Sequence, residues 1–124
     1  MSQLTKNFHL HEFACNDGTP VPDDLMQNVI KLATQLQILR DYLKVPIRIN
    51  SAYRHPAYNK RIGGKQNSMH LKAMAADITV QTLSPRKLKG VIEKLITQDK
   101  LHFGGIGLYP GFVHVDVRDS FARW

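Results

Sequence analysis

The sequence predicts an α+β domain with a small, mostly antiparallel sheet flanked by helices. Three observations carry that reading. Leu25, Val29, Leu32, Leu36, Leu39 and Leu43 recur at alternating steps of four and three, the stripe of a long amphipathic helix over about residues 24–44. Helical and strand periodicities then alternate, in the order helix, strand, helix, strand, helix, strand, strand. The last two strands are separated by the turn pair Pro110-Gly111, which favours an antiparallel hairpin.

Residues 1–20 read as an arm with a short apolar element from Phe8 to Phe13, and Asn16-Asp17-Gly18-Thr19-Pro20 is a turn. Pro22 and Asp23-Asp24 open the long helix, with negative charge at the positive end of its dipole. Val45 to Asn50 alternates as a strand with Pro46 near its start, and Ser51-Ala-Tyr-Arg54 leaves that strand. His55-Pro56 begins a short helix to about Asn59, which Gly63-Gly64 ends. Residues 63–70 form a loop that delivers His70, and Met74 to Val80 is a second strand. Ser84 caps a helix with Pro85 at its first position, and Leu88, Val91, Ile92, Leu95 and Ile96 give it an apolar face to about Asp99. Phe103 to Tyr109 is a glycine-rich strand, and Phe112 to Arg118 is the last.

Composition bounds the function. A chain of 124 residues that is 43% hydrophobic is expected to be one domain, 1–124, with a single core and neither repeat nor linker. No apolar run approaches the roughly 20 residues of a membrane span, so no membrane partner is expected. The opening Met-Ser-Gln-Leu-Thr-Lys-Asn-Phe lacks the apolar stretch of a signal peptide. Cys15 is the only cysteine, which excludes an internal disulfide and a Cys-rich zinc knuckle and leaves a small buried hydrophobe. Lys and Arg number 17 against 10 Asp and Glu, a net charge of +7 that favours polyanionic partners, either nucleic acid or an anionic cell wall. The cations are spread along the chain without a helix-turn-helix, zinc-finger or aromatic-rich RNA-binding pattern, so nucleic acid is not expected.

His70, Asp77 and His114 form a split set of metal-ligating residues. Two imidazoles and a carboxylate suit Zn²⁺, and three protein ligands leave a position open, as catalytic sites do. Asp77 lies in an apolar strand, where a carboxylate must be paired or bind metal. The residues alone leave both readings open: a ligand, or a structural Asp held by loop backbone or an arginine. Along 112–118, Val113, Val115 and Val117 take one face as core, and His114 and Asp116 share the other. His9 and His11 pair without a third ligand and read as packing or surface residues.

The pattern Ser68-x-His70-x-x-x-x-Ala75-x-Asp77, with a strand histidine some 40 residues later, resembles the zinc D-Ala-D-Ala carboxypeptidase and murein endopeptidase family, peptidase family M15. Further matching stretches are Ser51-Ala-Tyr-Arg54, Tyr58-Asn59, Gly63-Gly64, Asn67-Ser68, Gly104 to Tyr109 and Phe112 to Arg118, so the likeness runs from about Phe13 to Arg118. The resemblance implies the hedgehog/DD-peptidase fold and a monomeric zinc metallopeptidase, with His70, Asp77 and His114 as the zinc ligands. Its substrate would be a peptide bond in peptidoglycan stem peptides or cross-links. It also implies that Arg54 faces the substrate, to stabilise an oxyanion or clamp a carboxylate.

Two departures from the family pattern stand out. Ala73 replaces the usual Gly, a change expected to act on loop conformation, and Gly111 replaces the acidic general base of many relatives. Asp116 is the first substitute as base, with orientation of a ligand imidazole as its alternative role, and His102 is a weaker one. Ser68 either hydrogen-bonds substrate or caps its loop. Tyr53 and Tyr109 are candidates to line the cleft, with core packing as the alternative. A short chain with no signal suggests a phage- or prophage-type lysin, cytoplasmic until released to the wall, or a periplasmic or extracellular enzyme whose leader was removed. The alternative class is a non-catalytic, zinc-stabilised binding module.

Overall fold

A computed structural model describes residues 2–124. A 3-10 turn at Leu10–Phe13 precedes a second at Asp23–Leu25, which runs directly into helix α1, Met26–Leu43. Strand β1 (Arg48–Ser51), helix α2 (Pro56–Arg61), a 3-10 turn (Met69–Lys72) and strand β2 (Ala75–Thr79) follow. Helix α3 (Pro85–Thr97) leads to strands β3 (Gly105–Leu108), β4 (Val113–Asp116) and β5 (Ala122–Arg123). The strands form one sheet in the order β1-β2-β4-β3-β5, antiparallel except for the parallel pair β3 and β5. The expected α+β class and mostly antiparallel sheet are therefore present. No described helix is long and apolar enough to cross a membrane.

Local chemistry explains the boundaries. The first turn of the long helix is 3-10, with its N-terminal carboxylates retained, and Lys44 ends α1 in a left-handed conformation that closes on Arg40. Pro46 has no amide hydrogen to give a ladder, and regular pairing begins only at Arg48. Ser84 accepts from the Lys87 amide at 3.2 Å, with Pro85 first in α3. The loop expected at 63–70 closes into the turn Met69–Lys72, capped by the Ser68 hydroxyl.

The α1 stripe is the core: Val29, Leu32, Leu36 and Leu39 are fully buried. Leu88, Ile92 and Leu95 bring α3 onto β3 and β4, where Ile106, Val113 and Val115 meet them. Truncating any of these leucines to alanine typically costs about 2–5 kcal/mol. Phe8 and Phe13, at the ends of the expected apolar element, are both buried with ring centroids 6.2 Å apart.

The sequence reading ended at Arg118 and did not include β5. Its parallel pairing to β3 is reinforced by a forked ion pair from Arg123 to Glu93 of α3, at 2.9 and 3.0 Å, and by Arg123 to the Gly104 carbonyl at 2.7 Å. Burial pushes the Glu93 carboxyl up, but Arg123 and Lys89 outweigh it and hold it below its ordinary value of 4.5. A carboxyl depressed in the folded state stabilises that state above its unfolded pKa and loses the contribution as pH falls through the folded value. Thermal unfolding of the wild type and Glu93→Gln should therefore differ most above pH 4.5 and converge at lower pH. A difference independent of pH would exclude this ion pair as the tether of β5.

Candidate metal centre

The cleft floor is built from the middle of the sheet. Asp77 on β2 and His114 on β4 face each other in register. The Met69–Lys72 turn swings His70 over them. Their ligand atoms, one from each residue, lie within 4.8 Å of one another. His70 Nε2 and His114 Nδ1 each stand 3.2 Å from the same carboxylate oxygen, Asp77 Oδ1. The three residues are 2%, 6% and 6% exposed, at the bottom of a cleft of about 510 Å³.

Hydrogen bonds at the outer ring edges set the tautomers. His70 Nδ1 is 2.7 Å from the Ala52 carbonyl, which can only accept, so Nδ1 carries the hydrogen. His114 Nε2 is 2.8 Å from Asp116 Oδ2, a carboxylate that burial pushes up but that His114 and Arg118 hold far down. It too donates outward. In the neutral rings both inner nitrogens are therefore lone pairs, aimed at a carboxylate oxygen. Burial raises the Asp77 carboxyl, yet the neighbouring His114 and His70 rings, when protonated on those inner nitrogens, donate to it, prevail and bring it to about 2. Three converging acceptors with a negative charge, shut away from bulk water, call for a cation. The donor set fits a borderline-soft ion such as Zn²⁺, and both imidazoles have the outer hydrogen-bond partners that metal-bound histidines need.

Each supporting contact has a local cause. A bulge between Ile49 and Ser51 turns the chain out of β1, so the Ala52 carbonyl meets His70 and Arg54 reaches Asp77 Oδ2 at 3.4 Å. Arg54 is also held by Ser51 Oγ and Asn59 Oδ1, both at 3.3 Å. Ser68 lines the cleft and accepts the His70 amide at 3.2 Å, so it caps the turn that carries His70. Ala73 closes that turn at φ +56°, the left-handed conformation a glycine takes freely. The alanine holds that conformation at a steric cost of about 1 kcal/mol.

The other expected site residues fall differently. Asp116 is fully buried behind the His114 ring, forked by Arg118 Nε and Nη2 at 2.8 Å each. These are the contacts of a group that orients an imidazole, not of a base facing the cleft. Tyr53 is 5% exposed within the hydrophobic core and does not line the cleft, because its backbone is drawn inward to the Phe13 carbonyl. Tyr109 does line it, stacked on Phe112 at 4.6 Å. His102 is an exposed residue beside Asp99, away from the cleft. Among the described residues that line the cleft, Asp77 has the one acidic side chain.

A second group, Cys15, Asp17 and His55, also brings ligand-type atoms within 4.8 Å. Its hydrogen bonding is the reverse of the first. His55 Nδ1 accepts the Tyr58 amide as the cap of α2, so Nε2 carries the hydrogen and donates to Asp17 Oδ2 at 2.6 Å. Every polar edge is satisfied, and the cluster joins the 16–20 turn to α2. His9 and His11 lie 5.9 Å apart by ring centroid, with no third ligand.

The sequence reading missed Trp124. Its ring lies 4.9 Å from that of His114, and its Nε1 donates to the Tyr109 hydroxyl at 2.7 Å. One signal was present: Gly107 on β3 leaves no room for a Cβ against the Trp124 indole, and a strand glycine marks such close approach.

A comparison with curated proteins gives no match. The sequence model of the family described as Peptidase M15 matches residues 6–116, a span that includes the bulge, the capped turn and all three converging residues. By that match over most of its length, the chain belongs to the peptidase M15 family.

Proposed function

We propose that this peptidase is a zinc enzyme that hydrolyses peptide bonds in peptidoglycan stem peptides or cross-links. The observation that carries the reading is the convergence of His70 Nε2, Asp77 Oδ1 and His114 Nδ1 on the floor of an open cleft, each imidazole held from behind. When bound, zinc supplies a Lewis acid that polarises a peptide carbonyl and acidifies water. The chain's own groups do the rest. Arg54, tied to Asp77 Oδ2, presents a fixed guanidinium at the cleft for a developing oxyanion or a substrate carboxylate. Ser68 offers its hydroxyl at the rim while holding the His70 turn. Asp116 acts through His114 by fixing its tautomer. The net charge of +7 suits an anionic wall, and the lysin-type role expected from the sequence is consistent with it.

The lack of a second acidic side chain lining the cleft favours one alternative, a zinc-stabilised module that binds the wall without cutting it. Mass spectrometry of peptidoglycan digested by zinc-loaded protein, beside His114→Ala, separates the two. New stem-peptide fragments that vanish in the variant are the expected result, and their masses identify the bond. Intact peptidoglycan with a protein that holds one zinc per chain would support the binding module.

A further inference from the structure

Three cations line the cleft: Arg54, Lys65 and Arg118. Two are committed. Arg54 reaches Asp77 at 3.4 Å, and Arg118 forks onto Asp116 at 2.8 Å. Lys65 is exposed and makes no ion pair with a described residue; its ammonium lies over the Trp124 ring, 5.9 Å from the centroid.

Lys65 is nevertheless anchored. Its carbonyl accepts from Asn59 Nδ2 at 2.8 Å, and Asn59 is only 3% exposed. The same carbonyl takes the Ser68 amide at 3.2 Å, tying the lysine to the turn that carries His70. Gly64, just before it, has no space for a Cβ against the Asn59 side chain. Backbone anchors thus hold this lysine at the cleft, where its ammonium, in no ion pair with a described residue, covers the indole. That indole touches the His114 ligand ring and is fixed by Tyr109 and by Arg118, whose guanidinium lies 5.3 Å above it. Trp124 lies beyond the matched span 6–116, and no role is assigned to either residue by that match.

We infer that Lys65 and Trp124 form a subsite for a substrate carboxylate next to the metal centre, so that the peptide this enzyme takes is acidic close to its scissile bond. The inference rests on the peptidase reading. The indole wall packs against the peptide backbone or a small side chain, and the ammonium pairs with the carboxylate in a cleft lined by no acidic side chain besides Asp77. That carboxylate has two possible sources in a stem peptide: the chain's terminal carboxylate, or the free carboxylate of an internal acidic residue.

Trp124 is the single tryptophan of the chain, so its fluorescence reports on the subsite directly. The experiment titrates zinc-loaded protein with three synthetic stem peptides: the parent, one amidated only at the terminus, and one amidated only on the internal acid. The parent should shift the emission, and one of the two amidations should weaken binding about fivefold, the scale of a partly exposed charge pair. Whichever amidation does so names the source. Lys65→Met should bind the parent and that amide alike, whereas Lys65→Arg should retain the preference. No emission change with any peptide, equal affinity for all three, or an undiminished preference in Lys65→Met would each overturn the subsite. Saturable, Lys65-dependent binding of a peptide that is never cut would leave the subsite standing and defeat the hydrolase. Cleavage indifferent to both amidations would do the reverse.

Discussion

Asp77→Ala is expected to abolish metal binding and peptide cleavage together while leaving the chain folded. Asp77 Oδ1 is the one atom that both inner imidazole nitrogens face, at 3.2 Å each. Without it the site has two neutral ligands and no charge to hold a divalent ion. Several kcal/mol of transition-state stabilisation depend on such an ion, so cleavage should fall by about a thousandfold or more. Metal content after dialysis should drop from one per chain to background. Circular dichroism should remain native, because the core of α1 and α3 does not include this carboxylate. Asp77→Asn, which keeps the shape and loses the charge, should resemble the alanine variant in metal content. A variant that retained stoichiometric zinc would show that the ligand set is wrong.

Gly105→Ala is expected to destabilise the fold and loosen the metal centre at once. Gly105 sits opposite Asp116 across β3 and β4, and a Cβ there would enter the Asp116 carboxylate. That carboxylate is fully buried and already holds His114 on one side and Arg118 on the other. It cannot step aside without breaking one of them. The expected loss is about 3 kcal/mol from overpacking and a disrupted buried network, or about 10 °C in Tm for a domain of this size. Zinc affinity should fall as well, by about tenfold or more, since the outer partner of a ligand is displaced. Gly111→Ala is the control: nothing lies within 4 Å of the added methyl and its φ is not positive, so stability should not change. Equal melting temperatures for the two variants would refute the packing argument.

The floor of the site was more legible than its walls. His114 and Asp77 could be placed because they interrupt alternating strands, where period two assigns each side chain to a face; Val113, Val115 and Val117 are buried as that pattern requires. His70 was named with the set by residue type, but its placement could not be worked out, because a capped 3-10 turn has too few residues for any periodicity. Asp116 was placed on the correct face. Its orienting contacts depend on Arg118, whose side chain folds back onto the residue two positions earlier, just past the end of β4, and no spacing rule signals that. Tyr53 follows β1 closely enough to look exposed toward substrate, but the bulge at Ile49 to Ser51 turns its neighbour Arg54 to the cleft and sends Tyr53 into the core. Strand β5 has two residues, too short for a pattern, and it pairs in parallel with a strand seventeen positions earlier. The indole that follows it was therefore out of reach, although Gly107 of β3, which makes room for it, was in plain view.

The direct register of Asp77 against His114 has a consequence for how the sheet assembles. A slip of one residue between β2 and β4 would turn these side chains to opposite faces, and no ion could then span them. The native pairing alone offers the cation a complete site, so by mass action metal enriches that pairing over every shifted alternative. A zinc ion in this position would act as a proofreader of strand alignment before any substrate arrives. Refolding in chelator should then leave a larger misaligned fraction than refolding with zinc present.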